Sequence, residues 1–94
     1  MNTDIVIWGT MSNDINNFEF VKVDNIGMIR TYTFNYGRYI VEVDVLKKNN
    51  HMACYLWFDK KIISSCYCDV AKRLGTLLIK KYWKDFKNGT NLVI

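Results

Sequence analysis

The stretch MIRTYTFNYGRYIVEVDVL, Met28 to Leu46, decides the fold. Met28, Arg30, Tyr32 and Phe34 alternate with Ile29, Thr31, Thr33 and Asn35. After a break, Tyr39, Val41, Val43 and Val45 alternate with Ile40, Glu42, Asp44 and Leu46. A period of two puts successive side chains on opposite faces of a strand, so two strands are predicted with Asn35-Tyr36-Gly37-Arg38 supplying the turn. Register constrains the loop. An even loop sets Phe34 across from Tyr39, Tyr32 across from Val41 and Met28 across from Val45, all on one face, with Arg30 opposite Val43 and its charged head reaching water near an edge. A three-residue loop bulged at Gly37 would oppose Phe34 with Arg38 and mix the two faces. The even loop is therefore expected.

Moving toward the C-terminus, Lys47-Lys48-Asn49-Asn50 works as a four-residue loop into a third strand. It pairs Val45 with Met52, Val43 with Cys54, Val41 with Leu56 and Tyr39 with Phe58, which are all apolar pairs. The reverse face then carries Leu46 with His51, Asp44 with Ala53, Glu42 with Tyr55 and Ile40 with Trp57. From Ser65 the period lengthens. Tyr67, Val70, Ala71, Leu74, Leu77, Leu78 and Tyr82 form an apolar stripe at helical spacing that runs to Phe86, with Ser64 or Ser65 as N-cap and Asn88-Gly89 as the stop. Gly75 on the flank of that stripe costs helix propensity and so signals close approach to a strand.

Toward the N-terminus the pattern is weaker. Asp4 to Trp8 is a short apolar run, Met11 to Asn17 reads as polar loop, Phe18 to Val23 as strand, and Asp24, Asn25 and Gly27 as turn. The tail Asn91 to Ile94 adds a short edge strand. The expected architecture is α+β: an antiparallel meander of four or five strands with one long C-terminal helix packed on one face, the whole of residues 1–94 forming a single compact domain.

Composition narrows the function classes. Half of the residues are apolar and 15% aromatic, enough for a core and far from the composition of disordered chains. No apolar run reaches the length of a membrane span, and the first residues lack a signal-peptide pattern, so a cytoplasmic protein without membrane attachment is expected. Three cysteines make no disulfide framework. Charge is unevenly distributed: through Leu46, six carboxylates face three cations, net −3, and from Lys47 onward ten cations face three carboxylates, net +7. Such a field bears on partners and encounter rather than on fold.

Two surfaces are candidates for binding. Arg73, Lys80, Lys84 and Lys87 project along the solvent side of the predicted helix with Trp83 beside them, a line of cations suited to phosphate or to a protein contact, or simply a solvated face favoured by the helix dipole. The other is the reverse sheet face, where Ile40, Tyr55 and Trp57 among Glu42, Asp44 and His51 combine rigid anchors with a polar rim. That face is lost if the N-terminal segment with Ile5, Ile7 and Trp8 folds over it.

Catalytic and metal-binding readings are weaker. His51, Cys54, Cys66 and Cys68 are residue types that bind zinc, but strand register sends His51 and Cys54 to opposite faces, and thiols two apart at a helix start diverge by about 200°. Glu42 and Asp44 share a strand face roughly 7 Å apart, which reads as wet, solvent-facing charge. Neither a glycine-rich phosphate loop nor a nucleophile elbow occurs. No cofactor, metal or enzymatic activity is expected. The leading expectation is a small non-enzymatic interaction protein with a macromolecular partner. Lysine, asparagine and isoleucine at ten each beside three arginines resemble translation of an AT-rich genome, which suits an inhibitor encoded by a virus or mobile element. The alternative is nucleic-acid binding through the basic helix. Lysine predominating over arginine disfavours bidentate readout and makes protein the preferred partner.

Overall fold

A computed structural model describes residues 3–82. It contains, in order, helix α1 (Thr3–Ser12), a 3-10 turn (Ile15–Asn17), strands β1 (Phe18–Ile26), β2 (Ile29–Tyr36), β3 (Tyr39–Leu46), β4 (Met52–Phe58) and β5 (Lys61–Tyr67), and helix α2 (Cys68–Lys81). The strands form one five-stranded antiparallel sheet in the order β1-β2-β3-β4-β5, a meander as expected, with α2 packed on it.

The β3–β4 register matches the sequence expectation pair for pair: Val45 faces Met52, Val43 faces Cys54, Val41 faces Leu56, and on the reverse face Ile40 faces Trp57. The β2–β3 hairpin keeps the expected even loop, but its pairing slides by two residues. Phe34 faces Val41 rather than Tyr39, Tyr32 faces Val43, and Arg30 faces Val45. The loop is Gly37-Arg38, with Gly37 at φ 61° in the first loop position, where a two-residue hairpin calls for a left-handed residue. Tyr36 thereby joins the strand and stacks on Phe18 at 4.3 Å, while Met28 leaves it for an exposed turn. β1 also runs further than the sequence suggests, to Ile26, with Asp24 and Asn25 in the strand and a bulge at Val21.

Two elements depart from the sequence reading altogether. The apolar run Asp4 to Trp8 belongs to α1, and the stretch read as polar loop holds the end of that helix and the 3-10 turn. Trp8, Met11 and Ser12, at i, i+3 and i+4, are all buried. The Trp8 indole donates to Ser64 Oγ at 3.0 Å, and Ser12 Oγ donates to the Trp8 carbonyl at 3.0 Å. Neither Ser64 nor Ser65 is a helix cap; both lie in β5, and the helix begins only after Tyr67, which is extended at φ −136°. β5 escapes recognition because its polarity is inverted and interrupted. Ile63 is an extra, bulged residue, Ser64 and Cys66 point inward, and Ser65 and Tyr67 share the opposite face.

The core lies between the sheet and both helices. Phe34, Val41, Val43 and Cys54 from the sheet meet Trp8 from α1 and Ala71, Leu74 and Leu78 from α2, all eight fully enclosed. Val70 and Tyr82 pack at the margin, whereas Tyr67 and Leu77 of the predicted stripe stay exposed. A Cβ on Gly75 would stand 2.7 Å from Met52 Sδ and 2.9 Å from Val43 Cγ1, so this glycine lets α2 settle against β3 and β4, as its position in the sequence suggests. Asp69 in the first turn of α2 and Lys80 and Lys81 in the last suit its dipole. The expected continuation to Phe86, the Asn88-Gly89 stop and the Asn91 to Ile94 strand lie outside the described residues.

Candidate interaction surface

Both helices contact the sheet's core side, and Trp8, expected as a possible cover for the reverse face, is locked into the core by Ser64. The reverse face therefore has no covering element among the described residues. Register orders its side chains across the strands. One row runs Glu19, Asn35, Ile40, Trp57, Ile62. The next runs Lys22, Thr33, Glu42, Tyr55, Ser65, and the third Asp24, Thr31, Asp44, Ala53, Tyr67. The three anchors named from sequence are thus brought together. Ile40 and Trp57 are direct cross-strand partners, and Tyr55 lies in the adjacent row.

Two members of this surface were not legible in the sequence because β5 was not. Ile62 extends the Ile40–Trp57 pair and is 50% exposed, and Tyr67 sets its ring at 85° to that of Tyr55, centroids 6.2 Å apart. The alternation of Ser65 and Tyr67 against Ser64 and Cys66 was the available signal, masked by the bulge.

The face is acidic. In these three rows, among the described residues, Glu19, Asp24, Glu42 and Asp44 stand with one cation, Lys22, which pairs with Asp24 at 3.2 Å. Glu42 Oε1 accepts a hydrogen bond from the Trp57 indole at 3.1 Å, fixing the ring's tilt. Burial, and then the neighbouring Asp44, push the Glu42 carboxyl up to about 7, against a downward pull from Trp57 and Lys22. Tyr55 is pushed up to about 12 by burial, by its hydrogen bond with Tyr67 and by the nearby carboxylates, so its ring stays neutral. Crowded carboxylates with one cation among them make a surface that favours an incoming positive charge.

The basic helix is partly in view. Arg73 and Lys80 are exposed on the outer side of α2, joined by Lys72, which the sequence reading passed over. Lys81 is engaged, its Nζ donating to Asn16 Oδ1 at 2.6 Å. Trp83, Lys84 and Lys87 lie outside the described residues. The acidic residues of β1 to β3 lie on the open face, while Arg73 and Lys80 lie along α2 and Lys72 borders the end of the open face beside Asp44 and Tyr67.

The thiols of Cys54 and Cys66 face each other across β4 and β5 inside the core, while His51 is exposed on the other face. Among the described residues no three of His, Cys, Asp and Glu gather around a point that could hold a metal ion. Also among the described residues, no helix is long and apolar enough to cross a membrane. No protein-family model, curated protein or solved structure matches the chain, so the surface is read from its own geometry.

Proposed function

We propose that this chain is a non-enzymatic interaction protein that docks its open sheet face on a protein partner, occupying that partner's surface as an inhibitor would. The observation that supports this reading is the Ile40–Trp57–Ile62 row. It is a run of large apolar side chains, Ile40 and Ile62 at 43% and 50% exposure, with no covering element among the described residues and with carboxylates around it. Rigid anchors inside a charged rim are the arrangement in which a few residues dominate binding. Helices on one face of a sheet already supply the core, so stability does not require the other face to be apolar.

The test is retention of a partner from lysate by the tagged protein and by an Ile40→Ala/Trp57→Ala variant whose far-UV circular dichroism matches the parent. Loss of two central anchors is expected to weaken the complex by about 30-fold or more. Retention unchanged by the double substitution refutes docking through this face.

A second reading rests on exposed Lys72, Arg73 and Lys80: nucleic-acid binding by the outer side of α2. It predicts affinity for duplex or single-stranded oligonucleotides that falls steeply with salt and disappears in Lys72→Glu/Lys80→Glu. Binding insensitive to both rules it out.

A further inference from the structure

At one end of the open face, where β4 and β5 meet the start of α2, the surface dips into a cavity of about 590 Å³. Its lining combines three kinds of group. Tyr55 and Tyr67 form two aromatic walls at a right angle. Asp44 and Asp69 supply carboxyls, and Leu46 and Ala53 supply an apolar surface. His51 and Lys72 also border it, so the cavity is acidic without being a bare carboxylate cluster.

We infer that this notch receives a cationic side chain, lysine or arginine, of the protein partner. The inference rests on the docking reading above and names the chemistry of the partner's anchor. Each wall has a part in the fit. The aromatic corner offers ring faces to a cation and apolar area to its methylene stem. Asp44 is the counter-charge. Its Oδ1 is buried and has no hydrogen-bond partner among the described residues, although the carboxyl also hydrogen-bonds the half-buried Glu42 beside it, so a cation at the mouth of the notch supplies Oδ1 with the partner it lacks. Asp69, on the notch's own wall, adds to the attraction, whereas Glu42, held toward its protonated form, and Asp24, paired with Lys22 at 3.2 Å, contribute less. The hydroxyl of Tyr55 stays protonated through the physiological range, so the corner adds no competing charge. A partner surface bearing lysine or arginine beside apolar groups would meet this notch and the Ile40–Trp57–Ile62 row together.

The experiment is an NMR titration of the full chain with Nα-acetyl-lysine methylamide, with the arginine counterpart and with the norleucine counterpart, following the Tyr55 and Tyr67 ring signals. The cationic probes are expected to give saturable shifts with dissociation constants on the order of millimolar, weakening as salt is added, and the norleucine probe none. Asp44→Asn is expected to weaken the cationic probes about tenfold. Asparagine has the same shape and keeps an acceptor oxygen beside Glu42, so folding should survive that substitution. Tyr67→Leu, at an exposed edge position, is a second variant that should also weaken binding. Equal shifts from norleucine, no shift from any probe, or an affinity unchanged in Asp44→Asn overturns the inference. The two readings fail separately. A partner still held through Ile40 and Trp57 but indifferent to Asp44→Asn removes only the notch. Lysine binding that persists while partner retention ignores Ile40→Ala/Trp57→Ala removes only the docking face.

Discussion

Gly75→Ala sets helix propensity against packing in a way that gives a definite sign. In a solvent-exposed helix the change would stabilise by about 1 kcal/mol. Here the new Cβ would sit 2.7 Å from Met52 Sδ and 2.9 Å from Val43 Cγ1, both well inside contact distance. The methionine is half-buried and has rotamers to spare, so it can withdraw. Val43 cannot: it is fully enclosed on the central strand, and its branched Cβ leaves little freedom at χ1. Overpacking of this kind costs about 1–3 kcal/mol, leaving a net destabilisation of about 1 kcal/mol, or roughly 4–8 °C in Tm for a domain of this size. Urea unfolding followed by circular dichroism measures it. Repeating the substitution in a Val43→Ala background isolates the cause, because the rigid neighbour is then gone and the alanine should become neutral or stabilising. A Gly75→Ala protein more stable than the parent would refute the close approach of α2 to β3. So would an equal penalty in both backgrounds.

Other expected outcomes follow from single contacts. Trp8→Phe removes the donor to Ser64 Oγ and should cost about 1–3 kcal/mol, whereas Trp8→Ala should cost about 3–5 kcal/mol, with urea midpoints as the readout; a Trp8→Ala protein of parental stability would place α1 off the core. Glu42 binds its proton more tightly folded than unfolded, its carboxyl rising from 4.5 to about 7. The stability it contributes is therefore full below about pH 4.5 and lost as pH climbs through about 7. Glu42→Gln should flatten that part of the stability profile, and an unchanged slope would contradict the assignment. The Cys54 thiol is pushed far up by its hydrogen bond with Cys66 and by burial. In a Cys68→Ser background, then, a thiol reagent such as Ellman's should label neither Cys54 nor Cys66 until denaturant is added, and rapid labelling of the folded protein would show the β4–β5 interior to be open.

Much of this molecule was legible before any coordinates. The alternation in β3 and β4 determined which side chains share a face, and the apolar pairs then left one sensible register, because a one-residue slip would have turned every valine of β3 to water. The spacing of Ala71, Leu74 and Leu78 determined the buried side of α2, and Gly75 marked where it presses on the sheet. Ile40, Tyr55 and Trp57 followed as neighbours on the opposite side. Periodicity reports only which way a side chain points relative to its own backbone. What covers each face is decided by contacts far apart in sequence. Trp8 and Ser64 are 56 residues apart, and their hydrogen bond ties α1 to the core side of β5, so that Trp8 does not cover the acidic face. A β-branched apolar run at residues 5–7 suits strand or helix equally well by local preference, and a bulge at Ile63 erases the alternation of β5. Those elements, and with them Ile62, Tyr67 and the notch beside Asp44, belong to the tertiary structure, since only packing against the assembled sheet selects among conformations that the local sequence leaves nearly equal in energy.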